Sequence, residues 1–218
     1  FVHVSGGGVS GPGPRGAVMS EDSPCQPQTD YEASKLAGER ALLELAEQSL
    51  PLTVARATFT YGPGALHKLP LFRAIARRRF FLINSGSSRL HPVFIEDLLD
   101  GLLLAARSEP RARTFILGGP RPVATREIAE TIASALHVTL LPFSLPSALL
   151  APAAAVAETT GRLLHRDPPL TRSRLAQWRD DYAYDLTRAR AELGYNPRTD
   201  FDDGVALTVE DYRVRGWL

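Results

Sequence analysis

Tyr31 and Lys35 stand four residues apart, which puts them on one face of any helix that carries them. Lys35 is one of two lysines, set against twenty-three arginines and six tyrosines in 218 residues, so chance gives this spacing roughly 0.06 times. A free phenol ionises at a pH of about 10. A neighbouring ammonium favours the phenolate. A phenol so placed can act as general acid or base toward a carbonyl or hydroxyl. Lysine suits that task better than arginine, because its compact ammonium can also reach a ribose hydroxyl. The bland alternative is a surface helix bearing an unrelated Tyr and Lys.

The pair needs a helix and a sheet to hold it. Thr29 or Asp30 is placed to cap a helix running to about Ser49, with Leu36, Leu43 and Ala46 on its apolar side beside Ala33, Ala37 and Ala41. Phe1–Val4 reads as a buried strand, followed by glycine- and proline-rich loop through Pro14. Leu52–Ala55 reads as a second buried strand, and Tyr61-Gly62-Pro63-Gly64 as a turn. Leu69–Arg79 reads as a helix ending in Arg77-Arg78-Arg79, cations that suit a helix C-terminus or, alternatively, a phosphate. Phe80–Ile83, His91–Ile95 and Thr114–Leu117 read as strands, with a helix over Asp97–Arg107. Thr125 is placed to cap a helix through about His137. Further helices are expected near Ser147–Leu164, Thr171–Trp178, Leu186–Leu193 and Asp203–Val214, the third closed by Gly194. Strands alternating with helices argue an α/β fold.

Composition narrows the partners. A net charge of +1 gives no field that would draw the chain to nucleic acid or a membrane. The single Cys25 rules out an internal disulfide and fits a reducing, cytoplasmic compartment. No secretory leader is read at the start, which is apolar and strand-like. From Thr131 to Ala157 there is no Asp, Glu, Lys or Arg, but Pro142, Pro146 and Pro152 interrupt the run. A buried strand followed by an apolar helix is expected there rather than a membrane span, with a membrane-resting lid as a further option. No metal-ligand spacing is found.

Gly6-Gly7-Gly8-Val9-Ser10-Gly11 matches G-x-G-x-x-G after a strand. A dinucleotide site needs a helix N-terminus directly behind that motif. Pro12, Gly13 and Pro14 follow instead, and no acidic strand end lies about 20 residues on. The glycines are expected to let backbone approach something closely.

Several stretches in order resemble the extended short-chain dehydrogenase/reductase family, in its NAD-dependent epimerase/dehydratase and 3β-hydroxysteroid-dehydrogenase-like branches. Phe1-Val2-His3-Val4-Ser5 resembles the strand carrying the family's catalytic Ser or Thr, and Tyr31–Lys35 its Tyr-x-x-x-Lys. Ala55–Gly64 resembles its "R-P-x-x-x-Y-G-P-G" strand and turn, His91–Leu98 its "H-P-V-x-V-x-D-L", and Glu192–Pro197 its "E-L-G-Y-x-P".

The resemblance implies the C-terminal part of a Rossmann-like doubly wound parallel sheet plus a smaller mixed α/β substrate-binding region. Residues 1–63 would be the remnant of the Rossmann domain and 64–218 mainly the substrate-binding region, with elements such as 91–118 returning to the Rossmann core. It implies NAD or NADP as cofactor and a small-molecule substrate, a secondary alcohol or ketone, with nucleotide sugars as the alternative. Lys35 would hold the nicotinamide ribose, Tyr31 would pass the proton, Ser5 would polarise the substrate carbonyl, and Ala57, Thr58 and Phe59 would line the nicotinamide. A homodimer through the helix at 29–49 is a family habit.

Two departures qualify that expectation. The family's glycine fingerprint and first strands are missing ahead of Phe1, so the chain is expected to lack the adenosine and pyrophosphate pocket. Counting back from Gly11, the catalytic hydroxyl falls on Gly6, and Ser5, its neighbour, points to the opposite face of a strand. Ala57 also replaces a proline. A catalytically impaired binding or regulatory module is therefore the competing reading. Nucleotide-sugar members often carry a phosphate-binding Arg at the place that Leu90 takes here, with Arg89 adjacent. That tilts the substrate toward an apolar alcohol or ketone.

Overall fold

The computed structural model describes residues 1–47, 50–109, 113–164 and 171–218. The chain enters on strand β1 (Val2–Gly6), crosses by helix α1 (Asp30–Glu47) and returns as β2 (Thr53–Ala57), parallel to β1. It continues through β3 (Phe59–Tyr61), α2 (Leu69–Ala76), β4 (Leu82–Ile83) and β5 (Arg89–Leu90). Strand β6 (Pro92–Phe94) runs directly into α3 (Ile95–Arg107), which leads to β7 (Arg113–Leu117). Then come β8 (Val123–Ala124), α4 (Thr125–Leu136), β9 (Ser144–Leu145), α5 (Ser147–Leu164), α6 (Arg172–Arg179), α7 (Thr187–Leu193) and α8 (Phe201–Val214).

The main sheet is parallel, in the order β1-β2-β7. Its register puts Ser5 beside Arg56 and Arg56 beside Ile116 on one face, with Ala55 beside Phe115 and Ala57 beside Leu117 on the other. Helix α1 covers the first face, where Glu39 meets Arg56. Helix α3 covers the second, its Leu98 and Ala105 packing in one cluster with Ala55, Phe115 and Leu117. Helices on both faces of a parallel sheet make the fold a doubly wound α/β.

A second core gathers Phe72 and Ile75 of α2, Ile128 and Ile132 of α4, and Val205, Val209 and Tyr212 of α8. Tyr61 joins it edge-on to Phe94, with ring centroids 5.7 Å apart. Burying each such side chain contributes about 1.5–3 kcal/mol. Ile95 and Tyr182 pack against both cores and join the two regions. Three short pairings stitch the second region: β3 with β6 and β4 with β9 in parallel, β5 with β8 antiparallel.

Several local expectations need correction. Gly7–Ser10 form a 3-10 turn, not open loop, closed by the Gly11 N–H on the Gly8 carbonyl at 2.8 Å. Helix α2 stops at Ala76, three residues early, because Arg78 takes a positive φ of 53° and lets the Arg78 and Arg79 N–H groups fold back on Ile75 and Ala74. Thr125 is not a cap: Ala124 takes that position, and the Thr125 hydroxyl meets Ser88 Oγ at 3.0 Å. Phe80 lies outside β4, and α8 begins at Phe201, before Asp203. Thr29 does cap α1: Glu32 N–H donates to Thr29 Oγ1 at 3.1 Å, and Glu32 Oε2 accepts from Thr29 N–H at 3.0 Å. The expected reach of that helix to Ser49 falls outside the described residues. Gly194 closes α7 in the left-handed region, at φ 69°. Among the described residues no helix is long and apolar enough to cross a membrane, and the uncharged run becomes the end of α4, β9 and the start of α5.

Candidate active site

Helix α1 carries Tyr31 in its first turn and Lys35 one turn on. Tyr31 is 66% exposed, and the Lys35 ammonium lies 5.8 Å from its ring centroid. Lys35 Nζ donates to the Val4 carbonyl at 3.2 Å. That carbonyl lies on the side of β1 away from β2, where no other strand of the described residues pairs. Thr53 N–H donates to the Phe1 carbonyl, so Phe1, His3 and Ser5 turn their backbone groups to β2, and Val2 and Val4 turn theirs away. The ammonium therefore stands at the edge of β1, beside the exposed phenol.

One turn further, the same face of α1 carries Glu39, 1% exposed. It holds Arg56 through Oε2 to Nη2 at 2.7 Å and through both oxygens to Nε at 3.1 and 3.2 Å. Burial opposes the Arg56 charge, but these bonds and the carboxylate charge outweigh it and raise its pKa. Sequence reading did not single out this pair. The signals were present: Glu39 extends the four-residue spacing from Tyr31 and Lys35, and Arg56 is a charge inside an otherwise buried strand, which demands a partner.

Ser5 is 3% exposed, and its Oγ is buried without a hydrogen-bond partner. Its side chain lies on the face covered by α1, beside Arg56. Position 6 points the other way. A Cβ added at Gly6 would meet nothing closer than the Ala57 carbonyl at 4.0 Å, so the strand has room there for a side chain that is not present.

The remaining glycines of the run are packed against their own chain. A Cβ at Gly8 would press on Glu32, one at Gly7 on the Tyr184 ring, and one at Gly11, whose φ is 69°, on the Gln26 carbonyl. Helix α1 begins only at Asp30. The run is thus filled by Glu32, Gln26 and Tyr184, and makes no pyrophosphate cradle.

After β2, Thr58 N–H donates to the Leu117 carbonyl at 3.1 Å, while its Oγ1 is buried and unpartnered. Phe59 N–H donates to the His91 carbonyl. Lys68, the second lysine, stands over the Phe59 ring, 3.2 Å from its centroid. Burial brings its pKa down to about 7. Burial, and then the Lys68 charge, lower neighbouring His67 as well.

The other quoted stretches do mechanical work. His91 is 2% exposed; its Nε2 bonds the Gly119 carbonyl at 2.9 Å and its Nδ1 accepts the Tyr184 N–H at 3.2 Å. Asp97 accepts the N–H groups of Arg198 and Thr199 at 3.0 and 3.1 Å. Tyr195 OH donates to the Gly118 carbonyl at 2.7 Å. Arg89 is also engaged, on Asp181 Oδ2 at 3.0 Å and the Ala17 carbonyl at 2.9 Å. Burial pushes Asp181 up, but the N–H groups of Gly16 and Arg89 and the guanidinium outweigh it and hold the carboxyl below its usual range. Among the described residues no cluster of His, Cys, Asp and Glu could hold a metal.

Comparison with known proteins agrees with this frame. Residues 1–118 match the family model described as "NAD dependent epimerase/dehydratase family". The chain is 31% identical over 205 residues to the uncharacterized protein y4nL of Sinorhizobium fredii, covering 88% of this chain and 56% of that one. It is 29% identical to a dTDP-glucose 4,6-dehydratase of Streptomyces niveus, covering 100% and 58%. It is 23% identical to the 3beta-hydroxysteroid-dehydrogenase/decarboxylase isoform 1 of Arabidopsis thaliana, covering 97% and 53%. The crystal structure of gox2253 superposes with a TM-score of 0.80 at 23% identity, covering 100% of this chain and 67% of that one. The chain thus spans a little over half the length of these curated relatives. With more than half of its residues matched by the family model, and with the Tyr–Lys helix and serine-strand position inside that match, the chain belongs to the NAD dependent epimerase/dehydratase family.

Proposed function

We propose that this chain provides the proton-handling part of an NAD(P)-dependent oxidoreductase or epimerase site acting on a secondary alcohol or ketone. The exposure of Tyr31 one helical turn from the Lys35 ammonium carries the reading. The residues present fit the nicotinamide end of a dinucleotide: an ammonium donor at Lys35 and the chain at Ala57, Thr58 and Phe59, where β2 ends. They do not fit its pyrophosphate, since the glycine run is filled. When bound, the dinucleotide supplies hydride transfer. Lys35 holds the ribose hydroxyls, and Tyr31 gives the proton to the substrate oxygen or takes it away. The carbonyl-polarising role is not assigned to Ser5, which is buried under α1. Gly6 leaves that place without a hydroxyl, and this favours a weakened site. In the protein that carries this chain, Tyr31→Phe is expected to lower turnover of the alcohol or ketone by about 10²–10⁴-fold. Unchanged turnover would sink the proposal in favour of a binding or regulatory module.

A nucleotide-sugar substrate is the second reading, favoured by Lys68. Burial is what perturbs this cation, and among the described residues no carboxylate pairs with it. An anionic phosphate would supply that partner. Against it, Arg89 is taken up by Asp181. Lys68→Met separates the two: a rise in KM for a sugar nucleotide, with none for a neutral alcohol, supports the second reading.

A further inference from the structure

Lys68 stands immediately before α2, at the position that opens the helix, and makes no side-chain capping bond there. A cation at that end opposes the helix dipole. The side chain is partly exposed, and its Nζ lies 3.2 Å from the centroid of the Phe59 ring. The ring face favours the charged form. The charged and titratable neighbours do not add to it. His67, next in the chain, spends its Nε2 on the Thr60 carbonyl at 3.2 Å. Asp211 of α8 reaches this turn, but at the Gly64 N–H, 2.8 Å away, and Arg215 balances it at 2.8 Å. Among the described residues no carboxylate pairs with Lys68, and burial lowers its pKa to about 7. At neutral pH about half of the Lys68 side chains are then free amine, against roughly 1 in 2,500 for a lysine titrating at about 10.4.

We propose that Lys68 is a nucleophilic amine that captures the carbonyl of an apolar aldehyde or ketone as an imine. The Nζ lone pair attacks the carbonyl carbon and the C–N bond forms. Both amine protons leave with the carbonyl oxygen as water, and a C=N bond remains. No oxidant or reductant is needed. Desolvated lysines are the ones that do this chemistry. A neutral imine nitrogen needs no counter-ion, which suits a site without a carboxylate. The Phe59 ring beside Nζ, and Leu66, exposed two residues earlier, offer apolar ground for the body of the carbonyl compound. A carbonyl held there stands beside Phe59, in the stretch that would line the nicotinamide. That placement rests on the proposed function, whereas the capture itself needs no dinucleotide.

The chain has two lysines, so each amine can be read by itself. The whole chain is incubated with benzaldehyde and sodium cyanoborohydride, which reduces the imine to a stable secondary amine. Peptide mapping by mass spectrometry separates Lys68 from Lys35 and from the terminal amine. At pH 7, Lys68 is expected to be labelled at least about tenfold faster in the folded chain than in guanidinium chloride. That ratio is expected to shrink toward one by about pH 10, where the unfolded amine loses its proton too. Equal or slower labelling in the folded chain at pH 7 overturns the proposal, and leaves Lys68 a cation open to a phosphate. A ratio that does not change with pH overturns it as well, because the free amine is then not the cause. Either failure leaves the Tyr31 reading standing, since that is read as turnover with the dinucleotide and this trapping uses none.

Discussion

Two turns of one helix carry two opposite kinds of charge. At Tyr31 and Lys35, α1 meets the side of β1 away from β2, where the phenol is exposed and the ammonium bonds the Val4 carbonyl. At Glu39, one turn on, it meets the middle of the sheet, and the carboxylate is saturated by a buried guanidinium. The same four-residue spacing thus yields an exposed pair on the side of β1 away from β2 and a buried pair where the sheet is covered. Position against the sheet, rather than residue type, decides which is which.

The largest effect should come from breaking the covered pair. Glu39→Leu leaves Arg56 charged, buried and unbalanced, and should cost about 3–5 kcal/mol in urea unfolding. Pairing it with Arg56→Leu should recover much of that loss, because the two residues couple. A double variant no more stable than Glu39→Leu would mean that the pair does not anchor α1. At the open end, Tyr31→Phe should leave the unfolding free energy within about 0.5 kcal/mol, since the ring is exposed. A larger loss there would erase the contrast between the two turns.

A third prediction tests another covered tie by pH. Burial is the main reason that the His91 pKa lies below its ordinary value of about 6.5. The unfolded chain therefore binds a proton that the folded chain resists. Stability should fall as pH drops below about 6.5, by up to about 1.4 kcal/mol per pH unit from this residue, and be fully present above it. His91→Asn, measured by unfolding at several pH values, should flatten that dependence; an unchanged slope would exclude His91 as its source. The smallest effect is at the open end again. Gly6→Ser meets no close atom and should raise stability by about 0.5–1 kcal/mol through the unfolded state. In the protein that carries this chain it should also raise turnover, and a drop would show that position 6 does not face the substrate.

Much of the frame could be read from residue order. The Tyr-x-x-x-Lys helix, with Thr29 and Glu32 closing its start, is local chemistry, and local chemistry is visible in sequence. The α/β class followed from alternating apolar runs. The two-residue strands β5 and β8 were invisible because their pairing partners lie tens of residues away. The Glu39–Arg56 pair was missed for a similar reason, since the partner of a buried arginine is set by packing across the sheet. The tie from Asp97 to Arg198 and Thr199 spans about a hundred residues, and no spacing rule reaches that far.

The bond from Lys35 to the Val4 carbonyl also bears on how the molecule behaves in concentrated solution. Among the described residues no strand pairs with β1 on the side away from β2, and such a side with an exposed Val4 is a template for pairing with another chain, which a lysine beside it deters. Replacing Lys35 with an apolar residue would remove that deterrent along with any role in chemistry. Such a variant is expected to self-associate, so its lost activity would speak to aggregation as much as to catalysis.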